Sequence, residues 1–305
     1  MAEQIVLGYD GSQHSDRALE WALREAAVLS AELQVVVSTG RPVAVETSLY
    51  GSFLAAVEEE AGTVAGQAVA RAQERGVPAV GVVARGDPAG VLVERSRTVS
   101  GLVLGRRGRR GVRGRVGSVS AAVAAHARCP VVVLPGRWTP GVRASRAGAG
   151  AFAGRVVVGV DRLGADNPAL VAATCYAGRH GLGLTLLTVV PEATTTFTGS
   201  VDLDRAIRDQ LLGPAQAMVG EVAEEVRAKD SDLTVETHVL FGVPADELVE
   251  AGRSAELVVV GSRGYGGFRG LLMGSVSQAV LHGGESPVMI IPTGRESDPA
   301  PGRRS

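Results

Sequence analysis

Gly261-Ser262-Arg263-Gly264, nine further residues, and then Gly274-Ser275 form the stretch on which the fold turns. It sits between an apolar run over 257–260, which reads as a strand, and a segment of helical spacing over 276–281. The same layout occurs earlier, at Gly105-Arg106-Arg107-Gly108 and Gly117-Ser118. A glycine turn that leaves a strand and enters a helix can hold an anion. Its N–H groups are free, no Cβ blocks close approach, and the helix dipole favours negative charge. Its recurrence marks a tandem of two related units.

The duplication extends along the chain. Asp10 matches Asp161, Leu19 matches Leu170 and Leu33 matches Leu184 at one offset of 151. Gly86-Asp87-Pro88-Ala89 matches Gly242-Val243-Pro244-Ala245 at 156, as Gly105 does Gly261 and Gly108 does Gly264. Gly117, Pro130 and Pro135 match Gly274, Pro287 and Pro292 at 157. Offsets that step only between elements point to copies differing in loop length. Valine- and leucine-rich runs suit parallel strands buried on both faces, and the segments between them carry helical periodicity. The first copy is expected to have strands near 4–9, 33–38, 79–85, 101–105 and 130–134. The second is expected to have them near 155–160, 183–189, 233–240, 256–260 and 288–291. The fold class is α/β: two tandem doubly wound domains, each a five-stranded parallel sheet of the flavodoxin kind. The domains span 1–137 and 155–293, joined by a small-residue linker over 138–154 and followed by a tail over 294–305.

Within this frame Ser15 reads as the cap of the first helix, whose inward face at helical spacing includes Ala18, Trp21, Ala22, Glu25 and Leu29. Asp87 and Pro88 open the third helix, as Pro244 does in the second copy. Each copy ends in an apolar strand with one unpaired side, so the halves are expected to join through those strands as a pseudo-two-fold pair. A homodimer would use the same kind of edge.

Composition sets bounds. The 305 residues are 45% hydrophobic and 21% charged, with a net charge of -1, which disfavours nucleic acid and anionic membranes as partners. No apolar run approaches the roughly 20 residues of a membrane span, and the start has no charged leader with an apolar core, so the expected location is cytoplasmic. Cys129 and Cys175 are expected to be reduced, buried fillers. His14, His126, His180, His238 and His282 lack metal-ligand spacing and read as structural.

In doubly wound sheets ligands bind beyond the carboxyl ends of the strands, where strand order reverses. The aspartate after strand 1 and the glycine loop after strand 4 share one crevice if those strands are neighbours. A carboxylate accepts from ribose hydroxyls or an adenine amino group, and the loop takes phosphates, with Ser275 capping the helix. On Val6-Leu7-Gly8-Tyr9-Asp10-Gly11-Ser12, Gly261-Ser262-Arg263-Gly264 and Gly274-Ser275-Val276-Ser277, the chain resembles the universal stress protein family in its tandem form. The resemblance implies a fold like that of the adenine-nucleotide alpha-hydrolases and binding of ATP, with Mg2+ as an accompanying ion. Carried over, Asp161, Val189, Val260, Gly261, Gly264, Gly274, Ser275, Val276 and Ser277 line a site in the second copy. Asp10, Ser38, Leu104, Gly105, Gly108, Gly117, Ser118, Val119 and Ser120 are their counterparts in the first.

Both copies depart from the pattern. The first has eight residues, not nine, between Gly108 and Gly117; the second follows Asp161 with Arg162-Leu163-Gly164. A deleted residue can move the chain by up to about 3.5 Å, so the second copy ranks as the better site. Arg106, Arg107, Arg109, Arg110, Arg113 and Arg115 read as a solvated loop ahead of an anion clamp. There is no phosphate-loop lysine motif and no nucleophile elbow, and the glycine loop of the second copy offers no acid. Binding and regulation are therefore favoured over catalysis, with a nucleotide-free scaffold and slow ATP hydrolysis as the alternatives.

Overall fold

The computed structural model describes residues 3–40, 50–108, 116–139, 150–161, 167–191, 201–264 and 273–293. The first half runs β1 Gln4–Gly8, α1 Gln13–Leu29, β2 Glu32–Ser38, α2 Tyr50–Glu74, β3 Ala79–Ala84, α3 Pro88–Arg95, β4 Gly101–Gly105, α4 Ser118–His126 and β5 Val131–Leu134. The second runs β6 Arg155–Gly159, α5 Pro168–His180, β7 Gly183–Pro191, α6 Val201–Lys229, β8 Val235–Gly242, α7 Pro244–Ala251, β9 Leu257–Gly261, α8 Ser275–Gly283 and β10 Val288–Ile291.

All ten strands lie in one sheet, in the order β3-β2-β1-β4-β5-β10-β9-β6-β7-β8. Pairing within each half is parallel, and β1 lies between β2 and β4, so the strand order reverses there. The halves meet where β5 and β10 pair antiparallel, with Val132 opposite Met289 and Val133 opposite Val288. The expected union through the final strands is thus present. Its cause lies in the side chains: Val-Val-Val-Leu in β5 and Val-Met-Ile-Ile in β10 are buried throughout, and pairing removes two apolar edges from water.

Two apolar layers cover the sheet. One face packs on α1, α2, α5 and α6, through Leu19, Ala65, Leu170 and Val222 among others. The other packs on α3, α4, α7 and α8, through Leu92, Val123, Leu248 and Val280. The linker is packed at both ends: Trp138 is buried in the first layer and Phe152 lies against the second. Residues 140–149 and the tail 294–305 lie outside the described residues. Among the described residues, no helix is long and apolar enough to cross a membrane.

Three local expectations change. Ser12, not Ser15, caps α1: its side chain accepts from the Ser15 N–H at 3.2 Å. Gly11, at φ 71°, makes the turn that sets Ser12 at the cap, and the Ser15 hydroxyl returns to the Ser12 carbonyl at 2.9 Å. Cys175 is exposed on α5 rather than buried; only Cys129 is interior, where burial pushes its thiol up to about 12. Ser275 is the first residue of α8 and Gly274 holds the cap position, without a side-chain bond. Asp87 does cap α3, accepting from the Gly90 N–H at 2.9 Å, with Pro88 in the first turn.

Candidate functional site

The crevice at the carboxyl ends of β1 and β4 is built by two short turns. After β1 the chain reaches Asp10, whose Oδ1 accepts from the Ser12 N–H at 3.1 Å, fixing the carboxylate at the mouth of α1. After β4, Gly105 packs tightly on the start of α1: a Cβ there would lie 2.6 Å from the backbone carbon and oxygen of His14. At Gly108 a Cβ would lie 2.6 Å from Asp10 Oδ2, so carboxylate and glycine loop face each other. The loop closes where the Gly117 N–H donates to the Arg106 carbonyl at 2.8 Å, and α4 begins at once. Gly117 offers no capping side chain, so the first-turn N–H groups of α4 remain available for an acceptor.

These elements enclose a cavity of about 500 Å³. All nine residues expected of the first copy line it. So do several that the sequence reading missed: Tyr9, Val36, Pro88, Leu92, Arg107 and Val116. Val36, Pro88 and Leu92 sit on neighbouring elements and share no motif; Tyr9, beside Asp10, and Arg107, between two motif glycines, carried a usable signal. Not every lining hydroxyl is available. Ser120 donates to the Gly105 carbonyl at 2.8 Å and Ser38 to the Gly86 carbonyl at 2.7 Å, so both brace the walls.

The second copy repeats the closing bonds of the glycine loop and the facing of its aspartate and glycine. A Cβ on Gly264 would lie 2.9 Å from Asp161 Oδ2. Ser277 donates to the Gly261 carbonyl at 2.6 Å, and the Gly274 N–H donates to the Ser262 carbonyl at 2.8 Å. Val260 is buried at the end of β9, while Val189 and Val276 pack against the same apolar layer. The closing bond has the same length in both copies although one loop is a residue shorter. The loop ends are therefore closed alike, and the ranking of the second copy rests on residues 109–115 and 265–272. Residues 109–115, 162–166 and 265–272 lie outside the described set. One difference is specific to the second copy. Thr293, opposite Gly136 in the repeat, accepts from the Arg263 N–H at 3.1 Å and contacts the Ser262 hydroxyl at the same distance.

The arginine run divides. Arg106 is not a solvated residue: its Nη1 donates 3.0 Å to the carbonyl of Gly284, the C-cap of α8 in the other half. Burial, and then the charge of Arg107, push its pKa down. Arg107 lines the cavity, and its Nε is buried without a hydrogen-bond partner among the described residues. Arg263, its counterpart, is in the same condition. Arg109, Arg110, Arg113 and Arg115 lie outside the described residues. His14 stands behind the loop; burial first, and Arg107 next, lower its pKa, which keeps the imidazole neutral near pH 7. Opposed to a carboxylate, an uncapped helix N-terminus and a buried guanidinium Nε form a surface suited to a ligand that carries both hydroxyls and an anion.

Comparison with known proteins agrees with this geometry. The model of the universal stress protein family matches twice, over residues 1–135 and 153–292. A universal stress protein of Mycobacterium tuberculosis is 33% identical over 307 residues, with 94% of each chain covered. One of Mycolicibacterium smegmatis is 31% identical over 303 residues, covering 94% of this chain and 96% of its own. The crystal structure of a universal stress protein from Archaeoglobus fulgidus shares the fold, with a TM-score of 0.67 at 20% identity over 95% of this chain and 98% of that one. The twice-matched family model and relatives matched over 94% of this chain lead to one conclusion: the chain belongs to the universal stress protein family, with two copies of the family's domain in tandem.

Proposed function

We propose that each copy, 1–137 and 155–293, holds one adenine nucleotide, ATP with its accompanying Mg2+, and that the protein is a cytoplasmic regulator whose occupancy follows adenylate level. The observation that carries this reading is the cavity of about 500 Å³ that ends on the uncapped start of α4. That volume is in the range of nucleotide-sized ligand sites. In this reading Val36, Leu92 and Leu104 receive the base, and Asp10 accepts from ribose hydroxyls. The N–H groups at Gly108, Gly117 and Ser118 receive phosphates, with Arg107 beside them. Asp161, Gly264, Gly274 and Ser275 take the same parts in the second copy. Among the described residues no cluster of His, Cys, Asp or Glu is set to hold a metal. The Mg2+ would therefore arrive on the triphosphate rather than in a protein cage.

The role is binding rather than turnover. Phosphoryl transfer calls for a carboxylate on the metal and a residue orienting the attacking group, and neither glycine loop contains an acid. Mass spectrometry of small molecules released from freshly purified, denatured protein tests the reading. Adenine nucleotide is expected, at up to two equivalents per chain. Protein that carries none, and takes up none when incubated with ATP, would leave the scaffold reading in its place.

A further inference from the structure

A second cavity, of about 260 Å³, lies near the junction of the halves, among the amino ends of β1, β4 and β5 and between α1 and α5. It exists because the two helices, equivalent in the repeat, differ where they face the junction of the halves: Trp21 of α1 corresponds to Ala172 of α5. A bulky ring meets a methyl group, and the space left over is walled by both copies.

Its lining is chemically specific. Trp21 and Tyr176 hold their rings within 4° of parallel, with centroids 6.2 Å apart, and Tyr176 stacks in turn on His180 at 4.2 Å. Glu25, 7% exposed, lines the space, with one carboxylate oxygen 2.9 Å from His180 Nε2. A carboxylate has about four acceptor positions on its two oxygens, so one imidazole leaves capacity for a ligand donor. Aromatic faces add attraction for flat rings and for cations. An apolar cavity of about 150 Å³ accepts benzene, so this larger one admits two fused rings.

We propose that this cavity is a small-molecule site for a planar bicyclic aromatic amine, its rings against Trp21 and Tyr176 and its ammonium toward Glu25. The proposal is independent of the nucleotide reading, since none of the residues lining this cavity belongs to either glycine-loop site.

The probe is 1-naphthylmethylamine, titrated into the full chain by calorimetry without nucleotide. The readout is paired with the alkylation rate of Cys175, an exposed thiol on the cavity wall; buried Cys129 serves as the silent control. One saturable site is expected, with Cys175 alkylation slowed about tenfold at saturation. Glu25→Gln should weaken the amine about tenfold, the worth of one charged hydrogen bond, and leave the neutral 1-naphthylmethanol unchanged. Ala172→Leu should fill the space and remove binding of both. The proposal is overturned by no saturation below about 5 mM, by unchanged amine binding in folded Ala172→Leu, or by equal losses of amine and alcohol in Glu25→Gln. If Ala172→Leu does not fold, the Glu25→Gln comparison decides alone.

Discussion

Gly274→Asp is expected to remove nucleotide binding from the second copy, by more than about 100-fold, while the chain stays folded. The separation of the two effects follows from the backbone. Gly274 sits at φ -70° and ψ 154°, a conformation open to any residue, and a Cβ there meets nothing nearer than 3.5 Å. Aspartate is moreover a preferred cap, so stability should stay within about 1 kcal/mol. The same carboxylate would occupy the N–H groups that receive phosphate and oppose its charge. Two charge-assisted hydrogen bonds lost at about 1.5 kcal/mol each amount to roughly 100-fold in affinity. Denaturant unfolding and ATP titration of the variant check the two halves of the expectation. Tight ATP binding retained in Gly274→Asp would move the phosphates away from this loop.

Gly105→Ala should do the opposite and destabilise the first copy outright. Its Cβ would stand 2.6 Å from main-chain atoms of His14, which cannot rotate aside, so α1 must back away from the end of β4. Overpacking costs of about 3 kcal/mol are expected when backbone must move, read as a fall in the urea midpoint. Gly108→Ala is the informative contrast. Its clash, also at 2.6 Å, is with the tip of the Asp10 side chain, so a carboxylate rather than main chain must shift. That variant should keep most of its stability and lose affinity. Equal stability losses in the two variants would contradict the assignment of Gly105 to the helix–strand contact and Gly108 to the site.

Much of this was legible in the chain, for physical reasons. Strands such as Leu257–Gly261 and Val131–Leu134 are buried on both faces, so they announce themselves as unbroken apolar runs. The glycines were readable because close approach excludes a Cβ at Gly105 and Gly108. The joining of β5 to β10 followed from two apolar edges with no other cover. What stayed hidden depends on contacts distant in sequence. Arg106 looked like one more solvated arginine, yet it reaches Gly284 across 178 positions. The one-residue difference between the loops pointed to a displaced cradle in the first copy, yet the closing bonds at Gly117 and Gly274 have one length. Ser15 was read as the cap of α1, and the left-handed turn at Gly11 places Ser12 there instead.

The central claim, a pair of adenine-nucleotide cradles built alike, is tested most directly by calorimetric titration of the full nucleotide-free chain with ATP beside the double variant Gly117→Asp/Gly274→Asp. About two equivalents bound by the parent chain and none by the folded double variant is the predicted result. A parent chain that takes up no ATP, or a double variant that binds as the parent does, would contradict it.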